Sequence, residues 1–224
     1  PVIYRQKERT KHMGTRHLIC VSSGDRYRIA HYGQWDGYPS GQGISILNFL
    51  KSPMTEQLKS NLKYCSWLTE DELEKLWKEF GIDKNQDYVD YDIYKDFCSK
   101  YPQLSRDTGA GILKIVANTT GEIKLENNSD FSQDSLFCEW AYVIDFDKNT
   151  FEVYRGFNEA PLDESDRFYT DNQEDDNGLY PVRLIKSFDL SALPSEEEFL
   201  EICEPVEDES FEESIAGICG LTGM

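Results

Sequence analysis

Residues 33–43 contain four glycines and one proline, and no regular helix or strand can run through such a stretch. Glycine at that density signals a loop with several special backbone angles. The segments on either side must therefore be separate elements joined by a tight loop. Before it, Leu18-Ile19-Cys20-Val21 is a continuous apolar run, Ser22-Ser23-Gly24-Asp25 is turn chemistry, and residues 27–32 return as a second arm. Successive apolar positions predict burial on both faces of a sheet. After the loop, a helix is expected over residues 44–51.

The rest of the chain carries clear boundary signals. Ser52-Pro53 offers a cap and a first-turn proline for a second helix. Thr69-x-x-Glu72 is a capping box ahead of Leu73, Leu76, Trp77 and Phe80 at helical spacing, with Gly81 as the stop. Helices are expected over residues 91–100 and 108–117, the second capped by Asp107. Residues 137–146 and 151–155 flank Asp147-Lys148-Asn149-Thr150 as a second hairpin, residues 181–188 read as a strand, and Ser195-x-x-Glu198 caps a short last helix. This order predicts an α+β fold of layered, mainly antiparallel sheets covered by helices. The expected organisation is a basic extension over residues 1–13, one α+β domain over 14–204 and an acidic tail over 205–224.

Charge narrows the partners. The net charge is -19, with seven Lys/Arg against two acids in residues 1–30 and nineteen Asp/Glu against three Lys/Arg in residues 159–213. An acidic body repels a phosphate backbone, which disfavours general nucleic-acid binding. No apolar run is long enough to span a bilayer and the first residues lack the apolar core of a secretion signal, so no membrane partner and a cytoplasmic location are expected, host cytoplasm if the source is viral. The six cysteines lie far apart with no Cys-x-x-Cys, which points to reduced thiols and to neither a disulfide framework nor a zinc site.

The loop holds the richest chemistry. Tyr32 and Gln34 can donate and accept hydrogen bonds, Trp35 and Tyr38 offer stacking faces, and Asp36 can take a proton. Gly41 and Gly43, where the helix should begin, are a natural place for an anion. Arg106 supplies a guanidinium group able to clamp a carboxylate or phosphate, and Arg16 is counted with the ligand-binding residues. The alternative is a tight structural loop whose aromatics join the core. The loop lacks the glycine patterns of nucleotide sites, and Asp145-x-Asp147-x-Asn149 and Asp83-x-Asn85-x-Asp87 lack the glycine and glutamate of a calcium loop, so no cofactor and no metal are expected. His17 and Cys20, three apart on a strand, should face opposite sides, which favours a structural thiol over a nucleophile pair. Glu139, in an apolar strand, faces either solvent or a pocket.

Gly14-Thr15-Arg16, the hairpin, and Tyr32-Gly33-Gln34-Trp35-Asp36-Gly37-Tyr38-Pro39-Ser40-Gly41-Gln42-Gly43 together resemble a family of uncharacterised phage and fungal proteins that open Met-Gly-Thr-Arg. The segments around Arg106, Tyr142 and Val182 fit the same family. The resemblance implies a usual start at Met13 and supplies no activity. Gly14-Thr15, a strand, a turn with Gly24, a return through Ile29-Ala30 and then Gly33-Gln34 is also similar to the opening of proteasome-type N-terminal nucleophile hydrolases. That resemblance implies an α/β/β/α sandwich and Thr15 as a nucleophile attacking an amide. Two departures stand against it: residues precede Thr15, and no lysine occurs between Met13 and Lys51.

Three functions follow as expectations. The first is an amide-bond hydrolase-like domain acting through Thr15, with a small molecule or peptide held by Arg16, Tyr32, Gln34, Trp35, Asp36, Tyr38 and Arg106. The second is a phage or host interaction protein whose acidic face binds a basic partner. The third is a small-molecule binder.

Overall fold

The apolar run that opens the chain lies one strand in from a sheet edge, and its burial on both faces organises everything else. A computed structural model describes residues 14–82, 90–171 and 174–203. The basic extension, the acidic tail and the Asp83–Asp87 pattern lie outside the described residues. In chain order the elements are β1 (His17–Ser22), β2 (Tyr27–Gly33), a π-helical turn (Pro39–Gly43), α1 (Ile44–Leu50), α2 (Met54–Asn61), β3 (Cys65–Trp67) and α3 (Glu70–Glu79). They continue with α4 (Tyr91–Lys100), α5 (Gly111–Ala117), β4 (Ile123–Leu125), β5 (Trp140–Asp145), β6 (Thr150–Arg155), β7 (Arg183–Asp189) and α6 (Glu196–Cys203). The fold is α+β, as the order of elements predicts.

Five strands form one sheet in the order β2-β1-β5-β6-β7. Every neighbouring pair is antiparallel except β1 with β5, which run parallel from His17 beside Trp140 to Ser22 beside Asp145. All six residues of β1 are buried, as are all six of β5, because each has a strand on both sides and cover on both faces. Odd-numbered β1 residues Ile19 and Val21 join Tyr142, Ile144, Phe151 and Val153 against the helices. Phe151 stacks on Phe199 of α6 with ring centres 5.8 Å apart. Burying each such side chain contributes about 1.5–3 kcal/mol.

Leu18, Cys20, Ala141, Val143 and Tyr154 face the other way, where Phe168 and Val182 cover them. Both covering residues come from the long connection between β6 and β7. The second sheet, β3 with β4, is a parallel pair of three residues per strand. The described residues thus give one large, mostly antiparallel sheet with helices on one face and a folded connection on the other, together with the small β3–β4 sheet.

Both sequence-read capping boxes close. The Glu72 amide donates to Thr69 Oγ1 (3.2 Å) and the Thr69 amide to Glu72 Oε2 (3.0 Å). The Glu198 amide donates to Ser195 Oγ (3.2 Å) and the Ser195 amide to Glu198 Oε2 (2.8 Å). Each cap is worth about 1 kcal/mol. The expected cap by Asp107 does not form. Gly109 takes φ +49°, which turns the chain and delays α5 to Gly111, with Ala110 at its cap. No helix among the described residues is long and apolar enough to cross a membrane.

Candidate functional site

The four loop glycines serve close packing. The special backbone angles expected of them do not occur: none takes a positive φ, and within the loop that angle falls to Asp36, at 55°. A Cβ on Gly33 would lie 2.2 Å from the His17 ring, one on Gly37 2.7 Å from the Thr15 carbonyl oxygen, and one on Gly41 2.3 Å from the Asp36 carbonyl oxygen. The loop is therefore pressed against β1 and against itself. Its amides are consumed in the process: Gly41 and Gly43 donate to the Tyr38 carbonyl, and Gln42 donates to that of Asp36. The anion site expected at Gly41 and Gly43 has no N–H left to offer there. The Gln42 side chain completes the seal by accepting from the Ala110 amide at 2.7 Å and donating to the Trp35 carbonyl at 3.2 Å. Tyr142 of β5 donates its hydroxyl to the Gly37 carbonyl, fixing the loop to the sheet at 2.7 Å.

The sequence-read site residues divide into two groups. Thr15 is 3 % exposed and its carbonyl accepts from the Gly37 amide, while Gly14 before it packs on the Trp35 ring. Trp35 is 44 % exposed, yet its indole N–H is held by Asp107 Oδ1 at 2.7 Å, so the aspartate meant for a helix cap pins an aromatic face instead. Asp36 and Tyr38 stand exposed. The remaining four come together. The Tyr32 hydroxyl donates to Gln34 Oε1 at 2.6 Å, and the Gln34 amide donates to the Arg106 carbonyl at 2.9 Å. Burial raises the Tyr32 hydroxyl pKa, and the Arg16 and Arg106 charges both act on it in the opposite direction.

Each of these arginines rests on an aromatic ring. The Arg16 guanidinium lies 4.7 Å from the centre of Phe137, and that of Arg106 lies 5.5 Å from the centre of Tyr94. Such stacking orients the fork while leaving its edge N–H groups free. The Arg16 amide donates to Glu139 Oε1 at 3.1 Å, which places this carboxylate half-buried against the hairpin mouth. Neither guanidinium forms an ion pair with a carboxylate among the described residues.

Below Arg106 a cavity of about 230 Å³ opens between the β2 edge and helices α3 and α4. Its polar lining includes His31, Tyr32, Tyr94, Arg106, Glu126 and Asn128, and Leu73, Trp77 and Phe97 supply apolar wall. His31 is 7 % exposed and its Nε2 has no hydrogen-bond partner among the described residues. Burial lowers its pKa to about 4, so the imidazole is neutral at pH 7. Burial also raises the Glu126 pKa, against a smaller opposing hydrogen bond from Asn128. The wider groove beside it, about 480 Å³ and sharing Gln103 and Leu104, holds an ion pair between Lys124 and Glu72 at 2.9 Å.

Glu126 escapes sequence reading because it stands in a polar stretch with no motif around it. His17 and Cys20 do face opposite sides, as alternation requires. Burial pushes the Cys20 thiol up to about 12, which makes it inert at neutral pH. Burial and then neighbouring His31 lower the His17 pKa to about 3, weakly opposed by the nearby Thr15 backbone. Asp145, Asp147 and Asn149 serve the β5–β6 turn: Asp145 accepts from the Asp147 and Lys148 amides, and Asp147 accepts from those of Gly24 and Asp25. No metal-binding cluster occurs among the described residues. Comparison with protein-family models, curated proteins and solved structures found no match.

Proposed function

We propose that this chain is a small-molecule binding protein whose ligand presents an anionic group to Arg16 and Arg106 beside Tyr32 and Gln34. The observation that carries this reading is the convergence on Tyr32 of two arginine head groups that form no ion pair among the described residues, in a chain of net charge -19. Both guanidinium charges act on one tyrosine, Tyr32, and each is stacked on an aromatic ring. A hydrogen bond to a charged group contributes about 1.5–3 kcal/mol. Stacking on Phe137 and Tyr94 reduces the ordering cost of using both.

Thr15 favours this reading over amide hydrolysis, since its burial and the residues before it deny a substrate both a hydroxyl and a free amine. A basic partner for the acidic face has less behind it. Glu196 accepts from the Asn48 side chain, Glu198 closes its own cap, and Asp166 and Asp175 close turns.

The test is a thermal-shift series with small carboxylates and phosphates. At a hundredfold excess over Kd a ligand stabilises by about 2.7 kcal/mol, a Tm rise of roughly 5–10 °C for a chain of this size. The rise should vanish in Arg16→Ala and Arg106→Ala. An equal rise in the variants, or none in the parent protein, contradicts the assignment.

A further inference from the structure

We infer that the ligand is a small aminocarboxylate, with its carboxylate on Arg106, its ammonium between Glu126 and His31, and an apolar side chain against Trp77 and Phe97. This rests on the binding reading above and names its ligand class. Three features of the cavity select that class. First, the cavity joins a cation and an anion, neither of them neutralised by an ion pair among the described residues. A ligand with one charge would leave the opposite wall group desolvated and unmatched, whereas a zwitterion satisfies both.

Second, His31 supplies an unpartnered Nε2 in a ring that is 7 % exposed and forms part of the cavity wall. A buried polar nitrogen without a partner is costly, and a ligand N–H removes that cost. A neutral imidazole can accept such a hydrogen bond, and it adds no positive charge to repel an ammonium. Third, the volume is small. About 230 Å³ falls below the roughly 300–1,000 Å³ of sites for drug-sized ligands, and it excludes nucleotides and long peptides from full enclosure. Leu73, Trp77, Phe97 and Leu104 supply an apolar stretch of wall, which suits an aliphatic or aromatic side chain.

Calorimetric titration of the full chain with three matched probes tests this: leucine, 4-methylpentanoate, which lacks the amine, and isoamylamine, which lacks the carboxylate. Leucine should bind tighter than 4-methylpentanoate by roughly ten- to hundredfold, the worth of one charge-assisted hydrogen bond. Isoamylamine should bind no better than 4-methylpentanoate. Glu126→Gln, nearly isosteric, should abolish the preference for leucine while 4-methylpentanoate binds at least as tightly as to the parent protein, since no carboxylate is then left unmatched, and that retained binding also shows that the variant is folded. Arg106→Ala should weaken both carboxylates. Equal binding of leucine and 4-methylpentanoate, or a preference that survives Glu126→Gln, overturns the aminocarboxylate assignment while leaving the anion site standing. Absence of binding by all three probes, with simple phosphates still producing the thermal shift above, overturns it too. Absence of every shift removes both readings.

Discussion

Arg167 and Arg106 keep similar company and do opposite things with it. Arg167, rising from the acidic connection between β6 and β7, meets a tyrosine and two carboxylates beneath the sheet. Its guanidinium pairs with Asp145 and, at 2.7 Å, with Glu152, whose other bonds come from Tyr154 (2.6 Å) and Thr150 (2.9 Å). Arg106 lies over Tyr94 and shares a cavity with Tyr32 and Glu126, yet pairs with no carboxylate among the described residues. A saturated buried network does architectural work, here fastening Phe168 and its connection over the second face of the sheet. On the proposed binding reading, an unsaturated one holds capacity for a ligand. That reading assigns stability to the Arg167 network and binding to Arg106, and substitutions at the two places should separate them in the same way.

The largest effect should come from Arg167→Met. Arg167, Asp145 and Glu152 have side chains only 12 %, 4 % and 8 % exposed, so the variant strands two carboxylates. A loss of about 3–5 kcal/mol in urea denaturation is expected, with ligand binding unchanged. The acid limb should move as well. Burial pushes both carboxyls up, but hydrogen bonds from the Lys148 amide and Arg167 to Asp145, and from Arg167 and Tyr154 to Glu152, outweigh it and hold both below their ordinary values. They therefore contribute stability above the unfolded-state pKa, lost as pH falls through the lower folded value. Without Arg167 acid unfolding should begin at a higher pH, and an unchanged acid limb would break the comparison.

Next is Gly41→Ala, whose Cβ meets backbone that cannot rotate away. A cost of about 1–3 kcal/mol is expected together with weaker ligand binding, since the loop carries Gln34. Stability retained in chemical denaturation would show that the loop is looser than its contacts imply.

His17→Leu should cost less, within about 1 kcal/mol at neutral pH, because neither ring nitrogen has a hydrogen-bond partner among the described residues. Its signature lies in acid. His17 and His31, with pKa values lowered to about 3 and about 4, stay neutral in the fold while the unfolded chain takes up protons from about pH 6.5 downward. Stability should therefore fall as pH drops from about 6.5 toward these values, and the leucine variant should fall less steeply over that range. Identical slopes would mean that His17 gains a proton in the fold.

Arg16→Ala and Arg106→Ala should be the mildest for folding, within about 0.5 kcal/mol, as expected of residues whose head groups hold no ion pair. They should be the most damaging for binding. A large loss of stability in either would sharpen the comparison against the account, by showing that these arginines also serve the fold.

Local signals carried well from sequence to structure. Both hairpins, the two capping boxes and the doubly buried β1 follow from turn residues, Thr69 and Ser195 with their glutamates, and four successive apolar side chains. What could not be read was long-range. The parallel pairing of β1 with β5 joins segments more than a hundred residues apart, and nothing local in Trp140 or His17 announces it. The loop glycines point to constraint, but whether they relieve φ or make room depends on what presses against them, and that is His17, Thr15 and Asp36. Nothing in the sequence around Arg167 announces its partners, because Asp145 and Glu152 lie on β5 and β6. At the candidate site, Tyr32 and Gln34 were legible as neighbours and Arg106 as a possible clamp. Glu126 and His31 acquire meaning only because α3 and α4 close a cavity over them.

The most direct test is an NMR titration that watches the arginine Nε–H resonances while leucine is added to the full chain. Those of Arg16 and Arg106 should shift and saturate with the ligand, with Arg106 moving most, while that of Arg167 stays in place. Resonances of Arg16 and Arg106 that remain still at concentrations where Arg167 or none responds would contradict the account.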